Sequence, residues 1–145
     1  REELSATDFV TCRSRSDCPT AMTAHVVYEA IDPARPATTS PRVVKEIIRG
    51  EIGFDGLLMS DDLSMNALSG TLAQRCKAAL FAGCDVALHC NGSLEEMKQV
   101  AGEGKPLEGE SLRRANAALA RLELPQAFDA GAGAARLNRL LGMAA

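Results

Sequence analysis

Two adjacent carboxylates, Asp61 and Asp62, follow directly on the apolar run Gly56-Leu57-Leu58-Met59-Ser60. That run is too short for a helix and reads as a fully buried strand, which puts both acids at a strand's C-terminal end. Functional groups of parallel α/β folds gather at such ends. Like charges side by side repel, so the pair costs folding energy unless something uses it. Three uses fit the residue types. One acid caps a turn while the other is solvated. Alternatively, the pair binds magnesium beside a phosphoryl acceptor. In the third use, one carboxylate is a nucleophile or stabilises an oxocarbenium-like transition state. The magnesium site also needs an Asp and a Lys at other strand ends. Asp85 stands at the start of its strand, and no Lys closes one. Strand alternation groups Asp61 with Leu57 and Met59, and Asp62 with Leu58 and Ser60, so the two acids point differently.

A second group of chemistry-bearing residues is Cys84, His89 and Cys90. Their spacing is looser than the paired ligands of closed zinc sites, and they read as small buried residues of an apolar strand. No metal site is expected. The five cysteines are odd in number and form no CxxC pair, which suits a reducing compartment better than a disulfide framework.

The elements that must position these groups alternate. Residues 21–28 are rich in β-branched side chains and read as a strand. Ser40-Pro41 opens a helix that ends near Gly50 and Gly53. The Gly56 strand follows, then a loop over residues 61–70. Thr71 caps a helix with Leu72, Cys76, Ala79 and Leu80 on its apolar face, stopped by Gly83. Residues 84–90 form a third strand. Ser93-Leu94-Glu95-Glu96 has the form of a capping box. Residues 103–109 are a linker, residues 111–122 an Ala- and Arg-rich helix, and a short helix lies near residues 137–141. Residues 1–9 suggest a polar helix, whereas residues 11–20 contain no large aliphatic side chain. This is the grammar of βαβ units and a parallel sheet, so the class is α/β. Three parallel strands leave both sheet edges open, and a closed eight-stranded barrel needs about 250 residues. At 145 residues, the chain is a small open sheet or a piece of something larger.

The composition narrows the function classes. Hydrophobic residues make up 46% and charged residues 24%, enough for a core and against disorder. With 16 basic and 19 acidic residues, no Trp and a single Tyr, nucleic acid is not an expected partner. No apolar stretch approaches the ~20 residues of a membrane span, nor do the first residues show the basic-then-apolar pattern of a signal peptide.

Ala24-His25-Val26, Ser40-Pro41, Gly53-Phe54-Asp55-Gly56, Ser60-Asp61-Asp62-Leu63-Ser64-Met65 and Ala82-Gly83-Cys84-Asp85 occur in one order. Together they resemble the C-terminal half of bacterial family 3 glycoside hydrolases, the cytoplasmic β-N-acetylhexosaminidases of peptidoglycan recycling. The resemblance implies the C-terminal part of a (β/α)8 TIM-type barrel, about three of its eight units. Residues 1–20 would be atypical and residues 103–145 a helical tail. It implies retaining hydrolysis of terminal β-linked N-acetylglucosamine from muropeptides or chitooligosaccharides, without metal or organic cofactor. It makes Asp61 the nucleophile, with Asp62, His25 and Met65 as weaker substrate-site candidates. His25 also has a plain structural reading, a histidine satisfied by backbone groups. The family's acid/base histidine belongs to a Gly- and His-rich loop that this chain lacks, so the chain alone is expected to be inactive. A further expectation is a non-catalytic role, association through open sheet edges.

Overall fold

The structure, a computed structural model, describes residues 1–143; residues 144 and 145 of the expected tail lie outside the described residues. Two short helices, α1 (Glu2–Ala6) and α2 (Asp8–Arg13), precede strand β1 (Thr20–Met22). A 3-10 turn at Ala37–Thr39 and a π-helix at Val43–Glu51 lead to β2 (Leu57–Asp62). Then come α3 (Leu72–Ala82), β3 (Val86–Leu88), α4 (Leu94–Glu103), α5 (Gly109–Leu119) and α6 (Ala130–Leu140). The three strands form one parallel sheet in the order β1-β2-β3. Both β1 and β3 are therefore edges among the described residues. No helix there is long and apolar enough to cross a membrane.

Local chemistry explains the best-formed elements. The Thr71 hydroxyl accepts from the Gln74 amide while the Gln74 side chain accepts from the Thr71 amide, a reciprocal cap on α3. Gly83 ends that helix at φ 112°, and a Cβ there would meet Val44 Cγ1 at 2.9 Å. Both the turn and the tight helix packing therefore require glycine. Ser40 Oγ accepts from the Val43 amide at 3.1 Å, so the expected N-cap is present. The helix it starts is wider than an α-helix, with the Ile52 amide reaching back to the Ile47 carbonyl at 2.8 Å.

The core lies between the helices and one face of the sheet. Phe54, Leu58, Leu63, Cys76, Ala79 and Cys84 pack with Val44 in one cluster. Phe9, Ile31, Val43 and Ile47 form a second, which anchors α2 through the buried Phe9. On β2, Leu58 and Ser60 are buried while Leu57, Met59 and Asp61 are half-buried. Met22, paired with Met59, is 52% exposed. One sheet face is thus covered by helices and the other is open.

Several boundaries differ from the sequence expectation. The first strand ends at Met22 rather than Tyr28, because after the Thr23 amide bonds the Met59 carbonyl the chain leaves the ladder. The Ala37 amide then donates to the Val26 carbonyl, outside the sheet. Strand β2 runs two residues further than expected, since Asp62 still pairs with Leu88. The third strand is shorter than residues 84–90, and α6 is longer than the expected terminal helix because Asp129 caps it at Ala132. Within the stretch without large aliphatic side chains, residues 11–13 are helical.

Candidate functional site at the C-terminal end of strand β2

The site is built on an irregularity. Between Met59↔Val86 and Asp62↔Leu88, three steps on β2 face two on β3. The Leu88 amide, displaced from the ladder, donates to Ser60 Oγ at 2.9 Å. Such bulges re-aim side chains next to active sites. Here the unpaired residues are Ser60 and Asp61, directly before Asp62.

Asp62 is held from every side. Its Oδ1 accepts from the Ser64 amide at 3.0 Å and the Cys90 amide at 3.2 Å, and its Oδ2 accepts from Ser64 Oγ. The Ser64 hydroxyl, then the Ser64 amide, hold this carboxyl below the usual carboxylate range; partial burial opposes them, and the Cys90 amide and nearby His89 add to the lowering. Its backbone carbonyl accepts from His25 Nε2 at 2.9 Å. A carbonyl only accepts, so Nε2 carries the proton. His25 Nδ1 lies 2.8 Å from Thr38 Oγ1, itself 2.8 Å from Thr23 Oγ1. His25 is thus a bonded strut beneath the Asp62 peptide, with both ring nitrogens engaged.

Asp61 differs in kind. One oxygen, Oδ1, accepts from the Asp62 amide at 2.8 Å. Asp61 is half-buried, at the point where the irregularity against β3 interrupts the alternation of Leu57 and Met59. A half-buried carboxylate fixed through one oxygen can present the other to an electrophile. Met65 is 45% exposed on the following turn, where its amide bonds the Asp62 carbonyl. Arg75 Nη1 donates to the carbonyls of Leu63 and Met65 at 2.9 and 3.1 Å, so α3 braces the loop. The structure therefore brings Asp61, Asp62, His25 and Met65 to one strand end.

Two groupings escaped the sequence reading. Asp85, at the opposite end of the sheet, accepts from Arg49 Nη2 at 2.7 Å, the Leu58 amide at 2.8 Å, Ser111 Oγ at 2.7 Å and Arg114 Nη1 at 3.1 Å. Burial alone pushes this carboxyl up, but the Leu58 amide, the Ser111 hydroxyl and both guanidinium groups more than offset it and hold it low. The other is His89, whose ring stands between Asp62 and Glu96. His89 departs from the purely apolar strand expected there; a histidine among Cys, Val and Leu was the available signal. The described residues hold no cluster of three metal-ligating side chains.

Comparison with known proteins fits this geometry. The sequence profile described as "Glycosyl hydrolase family 3 N terminal domain" matches residues 3–122. A β-hexosaminidase of Alkalilimnicola ehrlichii is 46% identical over 95 residues, covering 63% of this chain and 27% of that one. Among solved structures, CbsA from Thermotoga neapolitana superposes with a TM-score of 0.67 at 28% identity, covering 95% of this chain and 34% of that one. The β-N-acetylglucosaminidase from Thermotoga maritima gives 0.54 at 29% identity, covering 72% and 25%. The chain thus spans between about a quarter and a third of the length of these relatives.

This corrects the expectation of a C-terminal half, and with it that of the C-terminal part of a (β/α)8 barrel. The matching profile is that of the N-terminal domain, and the fold shown is a partial α/β unit of three parallel strands. The motifs misled because they mark strand ends, and a strand end carries no information on its place within the whole protein. By its matched profile over most of its length, the chain belongs to glycosyl hydrolase family 3, in the N-terminal domain of that family.

Proposed function

We propose that this chain carries the nucleophile of a retaining β-N-acetylhexosaminidase acting on terminal β-linked N-acetylglucosamine, in cytoplasmic turnover of muropeptides or chitooligosaccharides. The observation that supports it most is the division of labour between the two acids. Asp62 is tied up by Ser64 and Cys90, whereas Asp61 is fixed through one oxygen. Asp61 attacks the anomeric carbon as the bond to the aglycone oxygen breaks, that oxygen leaving with a proton or as an activated phenolate. Water then cleaves the glycosyl ester. All five cysteines are free, which suits a reducing compartment.

The test is complementation in trans. The chain is co-expressed with the portion of the Alkalilimnicola ehrlichii relative that it does not match and treated with a 5-fluoro-N-acetylglucosaminyl fluoride. Peptide mapping is expected to find the sugar adduct on Asp61. An adduct on another residue of the chain, or turnover without any adduct, overturns the assignment.

The open face favours a second reading, association through the sheet. Met22 is exposed on that face, Val26 and Val27 are exposed just beyond β1, and both edge strands are unpaired on one side among the described residues. Exposed apolar patches beyond a few hundred Å² usually drive association. Sedimentation above about micromolar concentration is expected to show self-association together with hydrophobic-dye binding. A sharply melting monomer without dye binding counts against it.

A further inference from the structure

We propose that His89 is a positioning residue whose imidazolium bridges the carboxylates of Asp62 and Glu96, fastening the first turn of α4 to the strand end that carries Asp61. The His89 side chain is only 5% exposed, yet neither ring nitrogen has a hydrogen-bond partner. Nδ1 lies 3.8 Å from Asp62 Oδ1 and Nε2 lies 3.3 Å from Glu96 Oε2. Carboxylates accept and do not donate, and a neutral imidazole offers a single N–H. Facing a carboxylate on each side, the ring satisfies both only when it carries two protons. Closing both gaps needs a small rotation of the ring and of Glu96, whose side chain is 39% exposed and free to move.

Glu96 explains itself in the same way. Ser93 caps α4 by accepting from the Glu96 amide, but the return bond of a capping box is not made. The Glu96 carboxylate turns to His89 instead. Asp62, at the other end of the bridge, donates its own amide to Asp61 Oδ1. Glu96, His89, Asp62 and Asp61 thus form a continuous line from helix to strand end.

The charged groups facing the ring are Asp62 from β2 and Glu96 from α4. The Cys90 amide shares Asp62 Oδ1, and His25, the chain's other histidine, holds the Asp62 carbonyl. The bridge is complete while the imidazole is charged. With a neutral ring it falls to one hydrogen bond, since a neutral imidazole offers a single N–H. The proposal rests on the nucleophile reading only for its catalytic consequence.

Amide hydrogen exchange on the 145-residue chain reads the bridge without any turnover, so its failure is separate from failure of the nucleophile assignment. The reporters are the Glu96 and Met97 amides, which bond Ser93, compared at about pH 5.5 and about pH 8 after correction for intrinsic exchange. In the unaltered chain their protection is expected to be roughly tenfold higher at the lower pH. His89→Gln and Glu96→Gln are each expected to erase that difference, and His25→Gln to leave it. Glu96→Gln alters a half-exposed side chain and keeps the proposal testable where His89→Gln does not fold. Protection independent of pH in the unaltered chain, or a pH dependence that survives Glu96→Gln or disappears with His25→Gln, overturns it.

Discussion

Shortening Asp61 to glycine in the complemented enzyme is expected to remove turnover of an aryl N-acetylglucosaminide by roughly 10⁴-fold or more, the scale seen when a nucleophile is lost. Azide is then expected to restore measurable rate and yield the β-glycosyl azide. On the proposed assignment, removing the side chain leaves a hole beside the anomeric carbon that a small anion can enter. An activated leaving group needs no proton, so the rescue does not depend on an acid catalyst. Asp62→Gly is expected to behave differently. Its carboxylate orders the turn through Ser64 and Cys90, so its loss loosens the loop that aims Asp61 and lowers the rate without opening a site for azide. Product analysis by mass spectrometry separates the cases. Azide product from Asp62→Gly and none from Asp61→Gly reverses the assignment. Similar modest losses at both positions, with no azide product, return the pair to a turn-capping role.

The second large effect lies at the other end of the sheet. Asp85→Asn is expected to destabilise the fold by about 3–5 kcal/mol, the usual cost of breaking a buried ion pair from one side. Arg49 and Arg114 would keep their charges in a half-buried site, while one carboxylate oxygen becomes an amide donor facing them. The sign of the pH dependence follows from the lowered pKa. A depressed carboxyl pKa contributes fully above its unfolded value of about 4, and the contribution is lost as pH falls through the folded value. Denaturant melts of the two proteins should therefore differ most near neutral pH and converge on acidification below about pH 4. A constant gap across that range contradicts the account.

How far the sequence could go depended on the distance over which each feature is decided. Thr71 and Gly83 announce α3 because a capping box and a left-handed stop are chemistry between near neighbours. Asp61 and Asp62 were legible as a strand-end pair for the same reason. Their unequal roles were only half legible: alternation separates their directions, but the bulge against β3 and the Cys90 amide come from a segment about thirty residues on. Asp85 was visible only as an acid at the wrong strand end, since Arg49 and Arg114 lie 36 and 29 residues away in sequence. His89 was absorbed into an apolar strand because Glu96 belongs to the following helix, and only packing shows that the two face each other. The early end of β1 was hidden too, because the Val26 carbonyl finds its partner in Ala37 rather than in a neighbouring strand.

The convergence on Asp85 also orders events during synthesis. Residues 49, 58 and 85 leave the ribosome before residues 111 and 114, so for an interval the Asp85 carboxylate has only the Arg49 guanidinium and the Leu58 amide to satisfy it. Domains fold as chains emerge at about 5–20 residues per second, which leaves this carboxylate short of two of its hydrogen-bond donors for a second or more. Until α5 arrives, the nascent chain holds a strand bottom with a spare acceptor. Arrival of Ser111 and Arg114 then completes the set of donors around Asp85.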